Sequence, residues 1–237
     1  MHPFIKITKK EDQIMRKQET AKRYLLFVIS LFFIGLGIAF AKHAGLGISP
    51  ISSVANVMSM RFTKLTFGTW LFFTNCLFLV GQILVLRRKF QLFQLLQLPL
   101  SLLFGYFTDL GMWIVGALPN SMYIINLIWV IVGSAVIGFG VALGVIANVM
   151  LNSPEAFAKA LGETVKKDFG NMKILMDVSW VCLAAVLSLV LFEGKLMGLR
   201  EGTVIAAFLV GLFVKLFRPL LQGPLTKLMK GKASSDE

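Results

Sequence analysis

Between Asp109 and Glu155 the sequence carries no acidic or basic side chain. A helix needs about 20 mostly apolar residues to cross a bilayer core, so this stretch is too long for one span and too apolar for a water-facing surface. Ala117-Leu118-Pro119-Asn120-Ser121 supplies turn chemistry inside it, which leaves one span over 123–147. The same test finds spans at 24–41, 65–86, 90–108 (continuing past Asp109 to about Val115), 174–192 (interrupted by Asp177) and 202–217. The last is the weakest, because Lys215 and Arg218 must snorkel to its end. Composition agrees: 57% of residues are hydrophobic and 15% charged, against about 25% charged in a soluble domain. The expected fold is an all-α membrane protein of six transmembrane helices.

A net charge of +12 would suggest nucleic acid in a soluble chain. In an apolar chain the same excess belongs to cytoplasmic loops facing anionic lipid, and nucleic acid is not expected as a partner. With the N-terminus inside, cytoplasmic segments hold 19 Lys and Arg and the outer segments five, Lys42, Arg61, Lys64, Lys195 and Arg200. That asymmetry predicts a multi-pass protein of the bacterial cytoplasmic membrane with both termini inside. Its parts are a basic cytoplasmic segment over 1–23, a membrane domain over 24–222 and a polar tail over 223–237.

The chain also repeats weakly. Gly35-Leu36-Gly37-Ile38-Ala39 matches Gly138-Phe139-Gly140-Val141-Ala142, Ser49-Pro50 matches Ser153-Pro154, and Phe67-Gly68 matches Phe169-Gly170, each 102 to 104 residues on. Asn75 falls opposite Asp177, and Gly105 opposite Gly211. Two halves of three spans, about 24–116 and 123–218, must enter the membrane in opposite senses. A 3+3 inverted-topology repeat is a recurring architecture of secondary transporters.

Gly45-Leu46-Gly47-Ile48-Ser49-Pro50, Phe67-Gly68-Thr69 and Gly202-Thr203-Val204 up to Gly211 resemble the bacterial YczE/YyaS/YitT-type integral membrane proteins. The resemblance covers about residues 24–222. It implies a polytopic inner-membrane protein described as a transporter and carries over no catalytic residue. The second element departs from the pattern, since Asn148-Val149-Met150-Leu151-Asn152 stands in place of the glycines before Ser153-Pro154.

Both Ser-Pro pairs suit a helix start, with Ser as cap and Pro at the first helical position. Short broken or re-entrant helices are expected over 51–61 and 155–168, with Gly45 and Gly47 allowing an unwound approach. Such helix starts either aim N–H groups at an anionic substrate or merely cap interfacial connections; taken alone, 155–168 reads as an amphipathic helix on the headgroups. Asp109 and Asp177 are acids inside spans and so candidates for function. Lys173, four residues before Asp177, offers it a structural ion pair, and Asp109 lies near enough to a span end to reach the headgroups. The amide of Asn75 must be satisfied within the bundle. The expected substrate-binding set is therefore Asn75, Asp109, Asp177, Ser49, Pro50, Ser153, Gly45 and Gly47.

With two His and two Cys there is no nucleophile–base pair or metal-ligand spacing, so no enzyme activity, cofactor or metal is expected. The leading function is a secondary transporter or permease with its site between the repeats. Its alternatives are the membrane-embedded binding subunit of an energy-coupling-factor-like transporter and a lipid-handling accessory protein. Expected partners are membrane lipids, a small-molecule or lipid substrate, and a second copy as a homodimer.

Overall fold

The computed structural model describes residues 9–120 and 122–229. Ser121 of the expected outer turn, residues 1–8 of the basic segment and 230–237 of the polar tail lie outside them. Among the described residues the chain is helical, without strands. Helix α1 (Lys9–His43) starts well before the expected span at 24. Residues 9–23 contain no Gly or Pro to stop it, and Arg23 pairs with Glu19 one turn earlier at 2.9 Å. A 3₁₀ turn (Pro50–Ser52) leads into the short helix α2 (Ser53–Arg61). Helix α3 (Phe67–Leu86) is capped by Thr66, whose Oγ1 accepts from the Thr69 N–H at 3.1 Å.

The third expected span begins late. After 3₁₀ turns at Arg87–Lys89 and Leu92–Leu96, helix α4 (Gln97–Val115) carries Pro99 in its first turn. A proline there lacks only an N–H that the helix does not use, so it opens the helix without kinking it. Helix α5 (Tyr123–Ala147) keeps the expected bounds. The second short helix, α6 (Ser153–Val165), precedes α7 (Phe169–Leu191), which starts earlier than expected because Asp168 caps it by accepting from the Gly170 N–H at 2.8 Å. Helix α8 (Glu201–Met229) runs beyond 217, through Pro219 and Pro224.

Helices α1, α3, α4, α5, α7 and α8 are each long and apolar enough to cross a membrane, and the protein is a multi-pass membrane protein. Val204, Phe208, Leu212, Leu216 and Leu220 form an exposed stripe down α8, as a lipid-facing helix requires. At the centre α1 crosses α5. The approach needs glycine, since a Cβ on Gly133 would stand 2.7 Å from the Gly37 carbonyl oxygen. Outside this pair, α1 packs on α4 and α5 on α8.

The short helices lie inside the bundle, α2 and α6 each against α3 and α7. The headgroup-lying alternative for the second short helix is thereby corrected. Ala158 and Ala160 of α6 are buried, and Phe157 meets Phe78 of α3 with ring centroids 5.8 Å apart. The long helices differ in how they close. A Cβ on Gly105 would stand 2.5 Å from the Gly68 carbonyl oxygen, so α3 and α4 touch through backbone. By contrast α7 and α8 barely meet, and Gly211 has nothing within 4 Å of where a Cβ would be.

Candidate functional site: a cavity between the two Ser-Pro elements

The chain leaves α1 through Gly45 and Gly47, at φ +66° and +101°, a left-handed backbone that favours glycine. Between them the Leu46 carbonyl accepts from the Gly202 N–H at 2.7 Å, docking the turn on the start of α8. Ser49 is then extended, and its carbonyl accepts from the Ser52 N–H at 3.0 Å to set up the 3₁₀ turn. Its hydroxyl makes no capping bond and donates to Ser52 Oγ at 3.2 Å.

The second element begins differently from expectation. Asn152 takes the cap position and Ser153 the first helical one. Ser153 is held by the neighbouring helices instead. Its carbonyl accepts from Gln82 Nε2 at 3.1 Å, and its hydroxyl lies 3.4 Å from that of Ser101. Gln82 also exchanges hydrogen bonds of 3.0 and 3.1 Å with Gln97. These three side chains join α3, α4 and the start of α6, and a buried amide pair with its partners in place is rigid.

A cavity of about 290 Å³ lies between the two elements. Of the expected site residues, Ser49, Pro50, Asn75, Ser153 and Asp177 line it. Asn75 is only 9% exposed, and its amide has no hydrogen-bond partner among the described residues. Asp177 takes the Lys173 ammonium on both carboxylate oxygens, at 2.5 and 2.6 Å. The ion pair and the cavity position thus hold together, with each side chain about one-quarter exposed. One wall is apolar, formed by Phe27, Leu31, Ile34, Phe78 and Phe104.

Three expected residues are elsewhere. Asp109 accepts from the Gly68 N–H at 2.7 Å and caps α3 from the neighbouring helix, where the helix dipole favours a carboxylate. Gly45 and Gly47 shape the turn behind Ser49 and do not line the cavity.

Sequence reasoning missed Glu155, Gln97 and Ser101, all of which line the cavity, and named Lys173, which also lines it, only as the partner of Asp177. Glu155 is the most consequential. Its Oε2 is fully buried and has no hydrogen-bond partner among the described residues. Burial pushes its carboxyl above the usual carboxylate range, with Lys173 acting in the opposite sense. The available signal was its place directly after Ser153-Pro154, in the first turn of a helix that repeats the one after Ser49-Pro50. Chemically, the cavity offers an amide, a carboxyl with one unpartnered oxygen, a neutralised ion pair and an apolar wall, which suits reversible binding of a small amphiphilic ligand.

No solved structure matches the chain. The chain is similar to the uncharacterized protein YyaS of Bacillus subtilis (strain 168), with 23% identity over 206 residues covering 84% of this chain and 94% of that protein. A family described as a family of unknown function (DUF6198) matches residues 21–219, nearly the whole membrane domain, and the chain belongs to that family.

Proposed function

We propose that the protein is a small secondary transporter whose substrate binds in this cavity, between two inverted three-span halves. The observation that carries the reading is the convergence of both Ser-Pro elements, Asn75 and Asp177 on one cavity. Inverted-repeat transporters bind substrate where their halves meet and use the starts of broken helices to do so. The packing pattern supports the same reading. Exchanging the halves turns the α1–α4 neighbours into α5–α8, α3–α6 into α7–α2, and α2–α3 into α6–α7, and all of these pairs pack. Both termini face the cytoplasm of a bacterial cell, in keeping with the uneven distribution of Lys and Arg. The cavity binds and releases its ligand without a bond-making step.

A lipid-handling role is the second reading, favoured by the apolar wall of Phe27, Leu31 and Phe104. Thermal unfolding of purified protein separates the two, because a ligand that binds only the folded state raises its apparent stability. Water-soluble metabolites and phospholipids are screened against the wild type and Asn75→Leu. Transport predicts at least one metabolite that stabilises the wild type and not the variant. Stabilisation confined to phospholipids favours lipid handling, and equal shifts in both proteins overturn the cavity as the site.

A further inference from the structure

Two carboxyl groups and one ammonium line the cavity, and their pairing is uneven. Asp177 engages Lys173 with both oxygens, so the single positive charge is already committed. Glu155 keeps a buried Oε2 with no hydrogen-bond partner among the described residues. A buried carboxylate without a counter-charge is costly in such a site. A proton removes that cost when the cavity is empty, and the upward displacement of the Glu155 carboxyl by burial agrees. The other ligand-free group is the Asn75 amide, unpartnered and on the same cavity. An anion would enter beside an acid that already occupies the start of α6. A cation would replace the proton and leave the charge of the cavity unchanged. Phe27, Phe78 and Phe104 add aromatic side chains to the lining, and aromatic rings attract quaternary ammonium groups.

We propose that the cavity binds a monovalent organic cation whose charge is taken by Glu155 in exchange for the carboxyl proton. The Glu155 O–H bond breaks, its proton passes to water, and the carboxylate left behind pairs with the incoming ammonium. One proton leaves for each cation bound. The groups that act on Glu155 are Lys173 and Asp177 from α7. Helix α3 has no Asp, Glu, Lys or Arg between Phe67 and Leu86, with the Cys76 thiol its one titratable group. On α6 itself, Lys159 and Glu163 face each other at 3.9 Å on an exposed face. The proposal rests on the transporter reading for its cavity and names the substrate class and the coupling ion, but its test does not need transport.

The test is calorimetric titration of the purified full-length protein with benzyltrimethylammonium, with benzoate as the anionic control, while proton release is followed in weak buffer. Benzyltrimethylammonium should bind more tightly as pH rises toward the point at which the empty protein gives up the Glu155 proton, and each cation bound below that point should release a proton. Glu155→Gln, which mimics the protonated acid in shape, should lose both binding and proton release. Asp109→Asn, outside the cavity, should retain both. Absence of binding, binding unchanged in Glu155→Gln, binding without proton release, or tighter binding of benzoate each overturns the proposal. Should Glu155→Gln misfold, proton release by the wild type decides alone. Proton-linked binding without flux into proteoliposomes refutes transport and leaves the cation site standing; flux of another solute without proton-linked binding does the reverse.

Discussion

The amide pair of Gln82 and Gln97 allows a quantitative test of how the cavity is held. Gln82 is fully buried and Gln97 is 4% exposed. Gln82→Leu removes the two bonds between the amides and the bond to the Ser153 carbonyl. Hydrogen bonds between membrane helices average about 0.6 kcal/mol, so the three contribute about 2 kcal/mol. The variant also strands the Gln97 amide in a buried site, which costs a further ~1–3 kcal/mol. Gln97→Leu loses only the two mutual bonds and strands part of Gln82, whose Nε2 keeps Ser153. The double variant leaves neither amide behind and should be more stable than the two single losses added together, by about 1–2 kcal/mol. Denaturant unfolding in mixed micelles of the wild type, both single variants and the double variant completes the cycle. Strict additivity would refute the argument, since it would mean that the two amides do not act as a pair.

Four further outcomes follow from the geometry. Gly105→Ala should destabilise the fold by about 1–3 kcal/mol in unfolding experiments, because its Cβ has only the Gly68 backbone to displace. Ser188→Ala should cost about 1–3 kcal/mol by the same measurement, since the Ser188 hydroxyl shares its one hydrogen between the carbonyls of Lys195 and Met197 and accepts from the Met197 N–H at 2.6 Å. Glu155 has a folded pKa raised above the ordinary value of 4.5, so its contribution to stability is full below that value and lost as pH rises through the folded one; Glu155→Gln should remove this slope from a pH series of unfolding midpoints. A cysteine at Asn120 should react with an impermeant reagent in intact cells while one at Lys89 stays silent, and the reverse pattern would invert the orientation.

The spans were legible because lipid imposes one local rule over about 20 residues, and 123–147 was read to the residue. The convergence of Ser49, Ser153, Asn75 and Asp177 was legible through their recurrence in order along the chain. What escaped depends on partners far away in sequence. The role of Asp109 is set by a bond to Gly68, 41 residues away, and a carboxyl inside a span gives no hint that a neighbouring helix start awaits it. The segment that opens with Glu155 reads, taken alone, as an amphipathic helix on the headgroups, and only its docking on α3 and α7 shows that the Glu155 side chain is enclosed. The extension of α1 back to Lys9 escaped for the opposite reason. A charged segment ends a membrane span without ending a helix.

The contact of Gly68 with Gly105 fixes α3 to α4 backbone against backbone, whereas nothing comparable joins α7 to α8. The cavity therefore has one stiff wall and one compliant wall. On the compliant side α8 contributes Ala206, Ala207 and Val210, small apolar side chains that can slide past α7 without breaking a hydrogen bond. At the seam between α7 and α8, movement that widens or narrows the cavity meets no such backbone contact. A Cβ on Gly211 would meet nothing within 4 Å, so a larger side chain there finds open space where its counterpart Gly105 finds backbone.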